Sequence, residues 1–384
     1  MSFGDELGRL MAERGVGVRE LARKAHYTPG HISRLRKGER LPSDEAAALL
    51  EAILRGDGKL TAAYERDRRY GGIPAVGLSA EEPDGPARAM LPRLESMSAG
   101  QLDDLLILLD QQWHALVKTD NLLGPRAALG GVLTYLEVID ALRRTARSAT
   151  RARVLALGAR YAESAAWLYE DSSEAAASRY WAGRSMEYAV EGGDRLMVAW
   201  TLFRRSQQAT ADGDAAQIVG LAAAARREAG ELPGPMLAAI LQQEAHAHAL
   251  DGDEVTCHAS LDRALELAAA DDPGDASAGH GSFCTPAYLE MQRGACWLKL
   301  GYPAQAVGAY ETAVASLPSV YRRDRGVALS GKAAALAAVG NLELAAVTAR
   351  QALGIARDSG SGRIEAMVTS NAGLRAALAE FPAL

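Results

Sequence analysis

The stretch Val18 to Arg40, VRELARKAHYTPGHISRLRKGER, decides how the chain begins to fold. Leu21, Ala22 and Ala25 share one face of a short helix running from about Val18 to Ala25. Thr28 is placed to cap a second helix, and Pro29 stands at its first position, where a missing N–H costs nothing. That helix, Pro29 to Lys37, turns Ile32 and Leu35 inward, and Gly38 ends it. Seven basic residues (Arg19, Arg23, Lys24, Arg34, Arg36, Lys37 and Arg40) stand against Glu20 and Glu39. Two short helices around a tight turn, carrying a local charge of +5, suit a polyanionic partner.

Working outward, Leu7, Leu10 and Met11 give Phe3 to Arg14 a helical apolar face, and Gly15-Val16-Gly17 breaks it. Ser43 caps a further helix, Asp44 to Leu54, with Glu45 in the first turn to suit the helix dipole. Residues 1–70 hold 14 Lys/Arg and 11 Asp/Glu, a net +3, while the whole chain carries −6. The remainder is therefore acidic, which discourages nucleic acid from wrapping it.

Glu20-Leu21-Ala22, Thr28, Ile32-Ser33-Arg34-Leu35 and Gly38 resemble the helix-turn-helix family of phage repressors and Cro. Residues 3–65 fit that family's five-helix domain. The resemblance implies that Pro29–Lys37 enters the major groove of double-stranded DNA with Pro29, Gly30, Ser33 and Arg34 facing bases. Arg34 is the candidate for a direct contact, because a guanidinium pairs bidentately with guanine O6 and N7. Pro29 and Gly30 depart from the polar pair common in the family, which points to apolar or shape readout there. Thr28 and His31 complete the helix start; His31 either reaches DNA or stays solvated. Val18 replaces the family's usual polar phosphate contact, leaving Arg19 as a substitute. Arg36, Lys37 and Arg40 are phosphate candidates or a solvated basic face. Such domains double their contacts as homodimers on paired half-sites.

The segment 71–92, rich in Gly, Pro and Glu, has the texture of a linker. Residues 93–150 form a helical connector, with long helices from about Ser98 to Lys118 and Arg126 to Arg147. Its stripe Leu102, Leu105, Leu106, Leu109 and Trp113 suits either a dimer seam or an ordinary core.

From 151 to 384 a pattern repeats. A small residue is followed seven later by a turn residue, and small or aromatic residues stand five, nine and twelve beyond the turn. Gly294, Gly301, Ala306, Tyr310 and Ala313 show it, as do Ala333, Gly340, Ala345, Ala349 and Ala352. So do Ala245, Gly252, Cys257, Leu261 and Ala264. Looser copies run from Ser206 through Gly213, Ile218 and Ala222 to Ala225, and from Ala166 through Ser173, Ser178 and Ala182 to Ser185. A Gly/Asp/Ser insertion, Asp271 to Pro286, has the composition of a surface loop. The expected fold is all-α: an N-terminal helix-turn-helix domain and a C-terminal helical-repeat superhelix.

This spacing resembles the tetratricopeptide repeat, with about five extra residues per unit. The resemblance implies a concave face lined by the first helix of each pair. In that register the candidate ligand contacts are Arg160, Glu163, Trp167, Trp200, Phe203, Gln207, Gln242, His246, Tyr288 and Met291. The two-part organisation resembles bacterial regulators that sense signalling peptides. Trp113 to Arg126 looks like actinobacterial regulators of development or secondary metabolism. The implied function is a ligand-responsive transcriptional repressor or activator, with a peptide or small-molecule effector. The competing reading is an adaptor that DNA merely localises. An acidic, aromatic-poor groove would favour the adaptor; a closed pocket ringed by Trp167, Trp200, Phe203 and Tyr288 would favour a ligand.

Other classes fit poorly. The chain starts without a basic, apolar leader, and no run of residues is long and apolar enough for a membrane span, so a cytoplasmic location is expected. Cys257, Cys284 and Cys296 form no disulfide or metal spacing. Gly326 to Ala333 nearly spells a phosphate-binding loop but ends in Ala where a hydroxyl is needed, and it sits in a helical repeat. His246, His248, Cys257 and His258 are ill-spaced for a metal, since i and i+2 point apart on a helix. Neither cofactor nor enzymatic activity is expected.

Overall fold

The computed structural model describes residues 3–25, 27–36, 42, 44–56, 58–70, 94, 96–228, 231–268 and 280–382. Among these there are nineteen helices and no strand, so the protein is all-α. Two compact units emerge. One holds Met1–Arg93 with Ala175–Tyr180, the other Leu94–Glu174 with Trp181–Leu384.

The first unit contains α1 (Phe3–Glu13), α2 (Val18–Lys24), α3 (Pro29–Arg36), α4 (Asp44–Leu54) and α5 (Lys59–Tyr70). Its core gathers Phe3, Leu7 and Leu10 from α1, Leu21 from α2, Ile32 and Leu35 from α3, then Leu50, Leu54 and Leu60. The apolar spacing read in the sequence is thus the packing face of each helix. The Glu51 carboxylate accepts the backbone N–H of Gly58 at 3.1 Å and of Thr61 at 2.8 Å, capping the start of α5. Gly38, Ser43, Lys37, Arg40 and the linker 71–92 lie outside the described residues.

The second unit is a chain of antiparallel helices. It opens with α6 (Ala99–Leu123), α7 (Pro125–Thr145) and α8 (Ser148–Asp171), followed by α9 (Ala175–Gly192), of which it holds the part from Trp181 onward. Hairpins then follow in turn: α10 (Arg195–Asp212) with α11 (Ala215–Glu228), α12 (Gly234–Leu250) with α13 (Glu254–Glu266), and α14 (Pro286–Lys299) with α15 (Pro303–Ser316). The last is α16 (Arg322–Ala338) with α17 (Leu342–Ser359), before the short α18 (Gly362–Thr369) and α19 (Ala372–Glu380).

The five turn residues of the repeat, Ser173, Gly213, Gly252, Gly301 and Gly340, all adopt positive φ, between 62° and 85°. That left-handed conformation lets each helix end and reverse within a few residues. The small residues of the pattern are buried where helices cross: Ala222, Ala245, Ala264, Ala306, Ala313, Ala333 and Ala349 are each fully enclosed. Gly331, in the phosphate-loop look-alike, lies within α16 and packs on Tyr310; a β-carbon there would stand 2.2 Å from Tyr310 Cζ. That glycine therefore makes room for a ring.

The array bends back on itself. α17 packs beside α6, and α18 beside α8, so the last repeats meet the first helices of the unit. An ionic cluster fastens this seam. Arg323 of α16 donates to Asp120 at 2.6 and 2.7 Å, to Asp171 at 3.0 Å and to the side-chain oxygen of Asn121 at 3.0 Å. Ser361 donates to Asp171 at 2.7 Å, and Arg363 Nε donates at 3.3 Å. Burial alone would raise the Asp171 carboxyl, but Arg363, Arg323 and the Ser361 hydroxyl outweigh it and hold the group below its ordinary value. The glycine turn before α7 belongs to the same seam: a β-carbon on Gly124 would stand 2.3 Å from the Ser359 carbonyl oxygen.

The leucine stripe of α6 takes the core role. Leu106 and Leu109 are buried, and Trp113 donates its indole N–H to Ser164 at 2.8 Å. Ile107, Leu108, Leu122 and Leu123 are the large apolar side chains that α6 leaves exposed.

Candidate functional site

The reading helix is built from its cap upward. The Thr28 hydroxyl accepts the backbone N–H of His31 at 3.2 Å, and Pro29 occupies the first turn of α3. Ile32 and Leu35 anchor the inner face. Thr28, Pro29, Gly30, Arg34 and Arg36 are exposed, and Ser33 and His31 half-buried. The His31 ring stacks on Tyr27 with centroids 4.6 Å apart, giving the histidine a packing partner as well as an open edge. Arg34 makes no hydrogen bond or ion pair with any described residue, so its guanidinium is free to be used elsewhere. The stem of Arg36 passes α1, where a β-carbon on Gly8 would meet its Cγ at 3.6 Å. Arg19 is exposed near the start of α2. Lys24 is tied to Glu20 at 2.7 Å. The candidate base-facing residues thus lie on the outer face of one short, firmly seated helix.

The second site is a cavity of about 650 Å³ inside the closed array of the C-terminal unit. Of the ten candidate ligand contacts, Arg160, Glu163, Trp167, Trp200, Gln207, Tyr288 and Met291 line it. Phe203 is fully buried one layer behind, 4.9 Å from the Trp200 ring and 6.2 Å from that of Phe283. Gln242 and His246 are placed differently from their expected register. They are buried in a polar cluster, His246 bonded to Gln292 at 2.8 Å and Gln242 at 3.2 Å. Burial and the neighbouring Lys299 push the His246 imidazole down to about 3 despite its bond to Gln292, so the ring is neutral.

Several wall residues escaped the sequence reading. His280 and Phe283 belong to the insertion assigned to the surface by its composition. Its described end instead turns inward, with His280 stacked on Trp200 at 4.9 Å and Phe283 edge-on to Tyr288 at 4.9 Å. Gly281 and Cys284 there are buried. Trp113, Arg204, Arg323, Asp324 and Arg363 also reach the cavity. Trp113 sat in a stripe that the sequence assigned to a seam or core, and the other four have no periodic signal.

The wall combines ring faces with tightly held charge. Arg160 lies 4.3 Å over Trp113, and Arg204 and Arg363 lie 4.9 and 5.0 Å from the centre of Trp167. The cavity is partly open, and its wall mixes aromatic rings with many polar and charged side chains, at a volume within the range of small-molecule sites. Among the described residues, no three His, Cys, Asp or Glu side chains are grouped to hold a metal ion, and no helix is long and apolar enough to cross a membrane.

One unit thus presents a capped, basic helix outward, and the other holds a cavity lined by aromatic and charged side chains. Residues 2–63 match the family model described as a helix-turn-helix domain. The chain therefore carries an N-terminal helix-turn-helix domain, which suggests a DNA-binding regulator rather than an enzyme. No curated protein and no solved structure matches the chain.

Proposed function

We propose that the protein is a transcriptional regulator that reads DNA through α3 and takes a small-molecule effector in the cavity of its helical-repeat unit. Arg34 reads a base edge, supported by Ser33, Gly30 and Pro29, while Arg19, Arg36, Lys37 and Arg40 hold phosphates. Thr28 and His31 fix the start of the reading helix. The observation that carries the effector half is the 650 Å³ cavity lined by Trp113, Trp167, Trp200, Phe283 and Tyr288. An open groove of tetratricopeptide-like repeats would suit an extended peptide or a protein partner. Here the ends of the array meet, which favours a compact ligand over the adaptor role. Two copies share an operator, as single domains of this kind make few contacts. The exposed Ile107, Leu108, Leu122 and Leu123 of α6 supply an apolar seam for that homodimer.

The test is operator affinity, measured by fluorescence anisotropy on the DNA upstream of the protein's own coding region while small molecules are screened. The expected result is a compound that shifts affinity severalfold and loses its effect in Met291→Trp, which fills the cavity. If no compound changes either operator affinity or melting temperature, the effector half fails and the reader stands.

A further inference from the structure

The charges on the cavity wall do not balance. Arg160 pairs with Asp110 at 2.8 Å, and Arg204 with Glu163 at 2.6 Å. Arg323 is matched by Asp120 and Asp171, and Arg363 by Asp171. Every guanidinium on the wall therefore already has a carboxylate. Two carboxyls on the same wall feel guanidiniums only through space, Glu170 that of Arg204 and Asp324 those of Arg363 and Arg323. Glu170 and Asp324 make no side-chain hydrogen bond or ion pair with any described residue. Burial raises the Asp324 carboxyl, Arg363 and Arg323 only partly oppose it, and Asp171 adds to the rise. A carboxylate left this way on a buried wall is costly until a positive group arrives.

The ring faces point in the same direction. Trp113 and Trp167 already hold guanidinium groups against their faces. Aromatic faces attract cations through the ring quadrupole, more strongly where water is excluded. Trp200 and Tyr288 extend that surface around the cavity. One donor is also unspent: Arg363 Nη2 is buried without a hydrogen-bond partner.

We propose that the cavity selects a cation: a small aromatic molecule bearing an amine, its ammonium drawn to Asp324 and Glu170 and its rings packed among the tryptophans. A hydrogen-bond acceptor on the same molecule would satisfy Arg363 Nη2. This deepens the effector reading above and rests on it.

Three probes share one ring system and differ in charge: tryptamine (cation), tryptophol (neutral) and indole-3-acetate (anion). Their binding to the full-length protein is measured by isothermal titration calorimetry and saturation-transfer NMR. Tryptamine is expected to bind about tenfold more tightly than tryptophol, a preference of one decade in Kd, with indole-3-acetate the weakest. In Asp324→Asn/Glu170→Gln the tryptamine preference falls to near one, while tryptophol keeps its affinity. If that double variant fails to fold, Glu170→Gln alone, on a half-exposed site, carries the comparison. Tryptophol or indole-3-acetate binding as tightly as tryptamine overturns the cation and leaves the cavity standing. An unchanged preference in the variant does the same. No saturable binding by any probe also counts against the cation. If screening then finds no compound that alters DNA binding, the effector reading falls with it.

Discussion

The two units use arginine in opposite ways. On α3, Arg34 is exposed and has no partner among the described residues. In the helical-repeat unit, Arg323 is wedged between Asp120 and a fully buried Asp171. A free guanidinium keeps its charge and its fork of donors for an outside partner. One locked between two carboxylates has spent both and acts as a fastener. The same side chain is thus a recognition element in one unit and a structural one in the other, and burial with pairing decides which.

Breaking the fastener is expected to give the largest effect. Arg323→Ala leaves Asp171 buried with only Arg363 and Ser361, and removing one partner of a buried ion pair costs about 3–5 kcal/mol. Chemical denaturation should show that loss in the transition of the helical-repeat unit, with the helix-turn-helix transition unmoved. The Asp171 carboxyl is depressed in the folded state, so its contribution is present at neutral pH and disappears as pH falls through the folded value. The gap in melting temperature between wild type and Asp171→Asn should therefore narrow from pH 7 towards pH 3. A gap that stays constant over that range would mean that the carboxylate charge is not what closes the array.

Removing the free arginine should do the reverse. Arg34→Ala is expected to weaken operator binding by about 1–3 kcal/mol and to relax preference at one base pair, without lowering the melting temperature. Arg36→Ala should weaken all sequences alike and flatten the salt dependence. A matching loss of specificity in Arg36→Ala would move the base contact off Arg34.

The difference between the units also governs what the sequence could disclose. Local signals were legible. The turn residues at 173, 213, 252, 301 and 340 are spaced by chain periodicity, and each adopts the positive φ that its place demands. Thr28, Pro29, Ile32 and Leu35 announce α3 for equally local reasons. Closure of the array was not legible, because it joins Asp120 to Arg323 across 203 residues and Asp171 to Arg363 across 192. No period links such pairs. Composition misled at the insertion, where Gly, Asp and Ser suggested solvent but His280 and Phe283 pack onto Trp200 and Tyr288. The transferred repeat register likewise put Gln242 and His246 on the concave face, whereas Gln292 draws both into a buried polar cluster behind the cavity.

The smallest expected effect sharpens the comparison at the hinge between structure and recognition. Thr28 caps α3, and its exposed hydroxyl also stands at the DNA-facing start of that helix, within reach of a phosphate. The two roles separate by measurement. Replacing a capping threonine by alanine costs about 0.5–2 kcal/mol of stability, and the loss appears with no DNA present. Thr28→Ser keeps the oxygen that accepts the His31 N–H and should restore that stability. If capping is the hydroxyl's work, Thr28→Ala lowers the melting temperature of the helix-turn-helix unit and weakens DNA only as far as α3 frays. If the melting temperature is unchanged and binding weakens alike for all sequences with the salt slope kept, the hydroxyl belongs to the phosphate. Thr28 would then stand with Arg34 among the groups that α3 holds in reserve for DNA, and Pro29 alone would start the helix.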